Sequence, residues 1–127
     1  MSIIAEIKSK LEKYPELKAE EETNCIAVTP DNGFTIWATE NNGSYTVGFE
    51  GWHEEFEQIE EALNCFAWGL SSSCRLKVVT RGDTTHKWVA QSLENGQWVN
   101  SSTTGLIFFP FWRKAKISYK QNAIINS

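Results

Sequence analysis

Three residue pairs punctuate this chain where only a tight reversal fits. Asn42-Gly43, Gly82-Asp83 and Asn95-Gly96 each stand between stretches that alternate apolar and polar side chains. Asn-Gly accepts positive φ at both central positions and Gly-Asp at the first, which is what type I′ and II′ hairpin turns demand. A two-residue turn also sets register, because a slip by one residue sends every side chain to the opposite face of the sheet. The chain is therefore committed to antiparallel pairing, and the partners follow by counting.

About Asn42-Gly43, Asn41 faces Ser44, Glu40 faces Tyr45, Ala38 faces Val47 and Ile36 faces Phe49. Phe34, Ile36, Ala38, Tyr45, Val47 and Phe49 then share one face. Trp37 lies opposite Gly48 on the other, where a large ring covers a glycine. Pro30-Asp31-Asn32-Gly33 is a further reversal. A loop of odd length, three residues in the simplest case, puts Ile26 and Val28 on the same core face. About Gly82-Asp83, Arg81 faces Thr84, Val79 faces His86, Lys77 faces Trp88 and Arg75 faces Ala90. Strands are expected over Cys74–Arg81, Thr84–Glu94, 97–101 and 113–121.

Two stretches carry the helical period instead. Ile3, Ile4, Ile7, Leu11 and Tyr14 form one apolar stripe, with Ser2 placed to cap it and Pro15 to end it. Phe56, Ile59, Leu63, Phe66, Ala67 and Leu70 form a second stripe centred on Leu63. Glu54, Glu55, Glu57, Glu60 and Glu61 fill its first half, where acid suits the helix dipole. Cys65 and Trp68 lie off that stripe. Gly69 and the serines at 71–73 end the helix, and Glu20, Glu21 and Glu22 read as a solvated link. The expected architecture is one α+β domain over residues 1–127: a largely antiparallel sheet of about six or seven strands with two helices, in the order α-β-β-β-α-β-β-β(-β).

A chain of 14.4 kDa folds to about 7,000 Å² of surface, enough burial for one core. Apolar residues at 41% and charged residues at 22% exclude wholesale disorder. The longest apolar run, residues 106–112, is too short to cross a bilayer, and the first residues lack a signal-peptide pattern. Cys25, Cys65 and Cys74 are odd in number and form no CxxC pair, which fits free thiols in a reducing compartment and no zinc site. A cytoplasmic protein without a membrane partner is expected. Charge is distributed unevenly. Residues 23–72 hold eight acids and no Lys or Arg, and residues 73–127 hold eight bases and two acids. Either the two halves face each other within the fold, or a one-sided field selects a charged partner. Overall acidity makes nucleic acid an improbable partner.

No catalytic residue, metal site or cofactor is assigned. A thiol nucleophile needs a histidine beside it, and no local motif joins the three cysteines to His53 or His86. Glu50 and His53 have the spacing of a carboxylate–histidine metal pair, but Gly51 between them is not helical. No glycine pattern cradles a phosphate. The most concrete polar group comes from register. Arg75, Lys77, Arg81, His86 and Trp88 share a face opposite Leu76, Val78 and Val89, with Lys77 across from Trp88 in cation–π reach. Lys114, Lys116 and Lys120 alternate with Ala115, Ile117 and Tyr119. If that strand joins the hairpin with its basic face the same way, an anion- or small-ligand-binding surface results. The other reading is an edge strand guarded by lysines.

The run Leu106-Ile107-Phe108-Phe109-Pro110-Phe111-Trp112 has no charge and no strict alternation. Pro110 excludes a central strand. Either the run crosses the core, or Phe108, Phe109, Phe111 and Trp112 meet a second chain, in a homodimer or with a protein partner.

Gly51-Trp52-His53, the stretch Ala62-Leu63-Asn64-Cys65-Phe66-Ala67-Trp68-Gly69-Leu70, His86-Lys87-Trp88 and residues 105–112 resemble a family of small uncharacterised bacterial proteins. The likeness covers most of residues 40–121. It implies a bacterial single-domain protein and no particular activity. The element order up to about residue 93 is also similar to that of type III secretion chaperones. Together these readings point to a non-enzymatic binding or protein-interaction module, with an anion or small-ligand binder as the alternative.

Overall fold

The structure, a computed structural model, describes residues 2–31 and 33–125. Helix α1 (Ile3–Leu11) starts where Ser2 accepts the Ala5 N–H at 3.4 Å, and it buries Ile3, Ile4, Ile7 and Leu11. The acidic link that follows is strand β1 (Ala19–Glu22), exposed along its length. Thr23 and Asn24 return it into β2 (Cys25–Val28). Then come β3 (Ile36–Asn41), β4 (Ser44–Phe49) and β5 (Trp52–Phe56), completing a meander in the order β1-β2-β3-β4-β5. Strands β1 and β5 were not expected, because glutamate runs are poor strand formers. The ladder holds them in place: Glu20 pairs with Ala27, and Glu54 with Val47.

The pairings about Asn42-Gly43 are those counted from the turn, and both residues take positive φ, 49° and 87°. The Trp37 ring fills the space a side chain at Gly48 would need. Val28 pairs with Ile36 and Ile26 with Ala38. The loop between β2 and β3 is thus odd in length, but it runs over residues 29–35 and is longer than the three residues expected. The Thr29 and Thr35 hydroxyls bond at 3.0 Å across its base, and Phe34 turns into the core. Asn32, in the expected turn, lies outside the described residues.

Glu50, at φ 55°, and Gly51 form a tight turn into β5, so helix α2 begins only at Ile59 (Ile59–Leu70). Its buried arc is Ala62, Cys65, Phe66, Gly69 and Leu70. Leu63 is half-buried and Ala67 exposed, which corrects the stripe centred on Leu63. The reason is that α2 touches β3, β4 and β5 on one side and the next strand on the other, so the Cys65–Trp68 flank also has a neighbour.

That next strand opens a second sheet: β6 (Cys74–Arg81), β7 (Thr84–Glu94), β8 (Gln97–Gly105) and β9 (Ala115–Lys120), ordered β8-β7-β6-β9. All pairs between named strands are antiparallel. The fold is α+β, and the described residues form nine strands in two sheets where one sheet of six or seven was expected. The sheets do not share a ladder. They touch where the His53 N–H donates to Thr104 Oγ1 at 3.2 Å and where Gly51 lies against the Trp88 ring.

Most buried apolar residues of both helices and both sheets form one cluster; Val79 and Val89 of the second sheet stand outside it. At its centre Phe49 stacks on Trp52, with centroids 4.4 Å apart, and meets Phe34 at 5.2 Å and Trp68 at 5.7 Å. A Cβ on Gly69 would stand 2.6 Å from Phe49 Cε1 and 3.0 Å from Ile36 Cδ1. The buried Asn122 side chain accepts the Phe34 N–H and donates to the Gly69 carbonyl, both at 2.9 Å, tying the C-terminal segment to the loop and to α2.

Gly→Ala in an exposed helix normally gains about 1 kcal/mol. Gly69→Ala should instead destabilise by about 1–3 kcal/mol, because the methyl overpacks the Phe49 ring. Phe66→Ala should cost about 3–5 kcal/mol and Leu63→Ala clearly less, since Leu63 is already partly solvated. Denaturant melts of the three variants check the buried arc.

Candidate protein-interaction surface

Between β6 and β7 the second sheet departs from simple counting at one residue. Arg81 pairs with Thr84 and Thr80 with Thr85, but Val79 pairs with Lys87, which leaves His86 as the extra residue of a β-bulge. Every later partner shifts by one. Val78 faces Trp88, Lys77 faces Val89, Leu76 faces Ala90 and Arg75 faces Gln91. Trp88, expected beside the cations, packs with the core cluster against Gly51. Lys77 consequently has no cross-strand contact with Trp88. Arg75, Lys77, Val79, Lys87, Val89 and Gln91 make up the outer face of β6 and β7.

Strand β9 lies beside β6, but with the opposite parity to the one a basic surface requires. Lys77 faces Tyr119 and Val79 faces Ile117, whereas Lys120 faces Leu76 and Lys116 faces Thr80. Ile117 and Tyr119 therefore join the outer face, and Lys116 and Lys120 belong to the other side. Lys120 Nζ pairs with the Glu50 carboxylate at 3.0 Å. The expected cationic surface with an aromatic floor does not assemble. Arg75 instead acts as a bracket. Its guanidinium lies 4.0 Å from the Tyr119 ring centre and 4.6 Å from that of Trp98, and its Nε donates to Gln91 Oε1 at 2.6 Å. Gln91 passes the contact on to Asn100 at 2.7 Å.

Strands β8 and β9 are opposite edges of a four-stranded sheet, three spacings or about 14 Å apart. The 106–114 segment must cross that width, and it does so beside the Gly82-Asp83 hairpin tip. It is fastened from its inner side. The Leu106 N–H donates to the His86 carbonyl at 2.7 Å. The Phe109 ring stacks on His86 at 4.1 Å and 10°. Arg81 Nη1 donates to the carbonyls of Phe111 at 3.2 Å and Arg113 at 2.9 Å. Phe109 and Pro110 are half-buried by this.

The other apolar side chains point outward: Ile107 is 85%, Phe108 90%, Phe111 71% and Trp112 73% exposed. This overturns the expectation that the run crosses the core; at the hairpin tip there is no core to cross. Ile117 and Tyr119, each about half exposed, extend the patch along β9. The sequence already holds the parity of β9, but not the strand it pairs with, so these two residues were missed. At about 150–250 Å² per ring, Phe108, Phe111, Trp112 and Tyr119 alone present roughly 430–710 Å². A typical monomer's largest apolar patch is about 300–600 Å².

The chemistry available elsewhere is limited. Burial raises the Cys65 thiol to about 12, helped by Glu54, and burial raises that of Cys74, helped by Cys65. Partial burial, with Glu22, raises that of Cys25. All three stay protonated at neutral pH, so none is a ready thiolate nucleophile. Glu50 and His53 sit on a turn and a strand, and the Glu50 carboxylate is held by Lys120. Among the described residues no three His, Cys, Asp or Glu side chains gather as a metal set.

His86 is buried, and its Nε2 has no partner. Burial lowers its pKa below the usual 6.5, and Arg81 and Lys87 lower it further. The unfolded chain thus takes up the proton first as pH falls through about 6.5, so stability drops on acidification and is fully restored above that pH. Thermal melts between about pH 7.5 and 5.5 should show wild type losing more stability than His86→Gln. Parallel curves would show that His86 does not contribute.

No protein-family model, no curated protein and no solved structure matches this chain.

Proposed function

We propose that this protein is a non-enzymatic protein-interaction module that docks through the strap 106–112 and the outer face of β9. One observation carries the reading: a charge-free strap is fastened through Phe109 and its backbone while Ile107, Phe108, Phe111 and Trp112 stand in solvent. Aromatic residues of this kind are the usual anchors of protein contacts. An anion or small-ligand binder is the weaker reading, because Arg81 is engaged by strap carbonyls, Lys120 by Glu50, and the remaining cations are divided between two faces. The same division disfavours nucleic acid, which rewards contiguous phosphate contacts. Three free thiols and the absence, among the described residues, of a helix long and apolar enough to cross a membrane support placing the module in the cytoplasm. The resemblance to small bacterial proteins belongs to the same proposal.

A photo-crosslinking amino acid at position 108, expressed in the source cells, should yield a discrete heavier adduct on a gel. The same probe at Glu60, on the exposed side of α2, should yield none. Adducts from neither site, or the same pattern from both, would sink the reading.

A further inference from the structure

The docking surface has a charge as well as an apolar character. Arg113 and Lys114 are exposed at the end of the strap, and Arg75, Lys77 and Lys87 lie on the adjoining outer face, whereas Lys116 stands on the other side of β9. No Asp or Glu occurs after Glu94. Among the described residues, two carboxylates lie near: Asp83 at the hairpin tip and Glu50, which is paired with Lys120 at the far end of β9. Strand β9 is also a sheet edge, so one side of its backbone offers N–H and C=O groups that another polypeptide can pair with and a lipid cannot.

We infer that the partner is an acidic polypeptide with aromatic or aliphatic anchors, seated on the strap and along the free edge of β9. The inference rests on the docking reading above and adds the chemistry of the occupant. A second copy is a poor occupant. A two-fold dimer is isologous, so the cationic patch around Arg113 and Lys114 would meet its own copy, and like charges across an interface are costly. A head-to-tail copy, basic strap on acidic β1 or α2, would build a ring or a filament, and either would scatter light as more than one chain.

The probes are a random copolymer of four Glu per Tyr, poly-Glu of equal length, and vesicles of four parts phosphatidylcholine to one part phosphatidylserine. Wild type should scatter light as a single chain. It should bind the copolymer at least about ten-fold tighter than poly-Glu at low salt, and both more weakly at high salt. Phe108→Ser with Trp112→Ser should reduce copolymer binding to the poly-Glu level. Arg113→Glu with Lys114→Glu should abolish binding to both polymers. Thermal melts of both double variants should match wild type, since all four side chains are exposed. Vesicle co-sedimentation without copolymer binding would overturn the inference in favour of a lipid surface. A mass of two or more chains that Trp112→Ser returns to one would overturn it in favour of self-association. No binding to either polymer, alongside a discrete adduct from position 108, would refute the acidic partner and leave the docking reading standing.

Discussion

The Phe49 ring sets the distance at which the rest of this molecule packs. It carries Phe34 from the β2–β3 loop, Trp52 from β5 and Trp68 from α2, and it leaves no room for a side chain at position 69. Gly69 lets α2 come down onto β3 and β4, and from there the helix reaches β6 as well. The inner face of the second sheet is therefore covered, and Trp88 finds its place against Gly51. On the outer face Val79, Val89 and Gln91 are themselves buried, and the strap is attached at the hairpin end of that sheet.

A single inserted residue then decides which side chains that outer face displays. Without the bulge at His86, Trp88 would stand among the cations and Lys77 would lie across from it. With the bulge, Trp88 turns inward and His86 becomes the surface on which Phe109 stacks. Bulges commonly re-aim side chains in this way. Here the bulge supplies an apolar seat for the strap, and Arg81, one turn residue away from Asp83, fastens the strap's carbonyls. Of the strap's remaining aromatic groups, Phe111 and Trp112 meet edge to face at 5.3 Å, and with Phe108 they stay mostly in solvent.

Charge follows the same division. The acids of residues 23–72 lie on the first sheet, its loops and α2, and the bases after residue 73 lie on the second sheet and the strap. Among the described residues, Glu50–Lys120 is the one ion pair that joins the two halves; Lys8–Glu21 joins α1 to β1. Most of the charge thus remains available to the solvent, where it gives the molecule a directional field that can speed the approach of an oppositely charged partner.

Local chemistry carried much of the architecture. The turn pairs and alternating stretches dictated the β3–β4 register, the bounds of β6 and β7, and antiparallel pairing throughout, because a two-residue turn leaves its strands a single alignment. The Ser2 cap and the isoleucine stripe likewise specified α1. Strands β1 and β5 were hidden because glutamates prefer other states, and only the neighbouring ladder overrides that preference. The exposed face of α2, the bulge at His86, the partner of β9 and the solvation of Phe108, Phe111 and Trp112 all depend on residues far apart in the chain. Turn chemistry and periodicity act over a few residues, whereas which face is covered depends on what packs against it, and that was settled only when α2 and the two sheets came together.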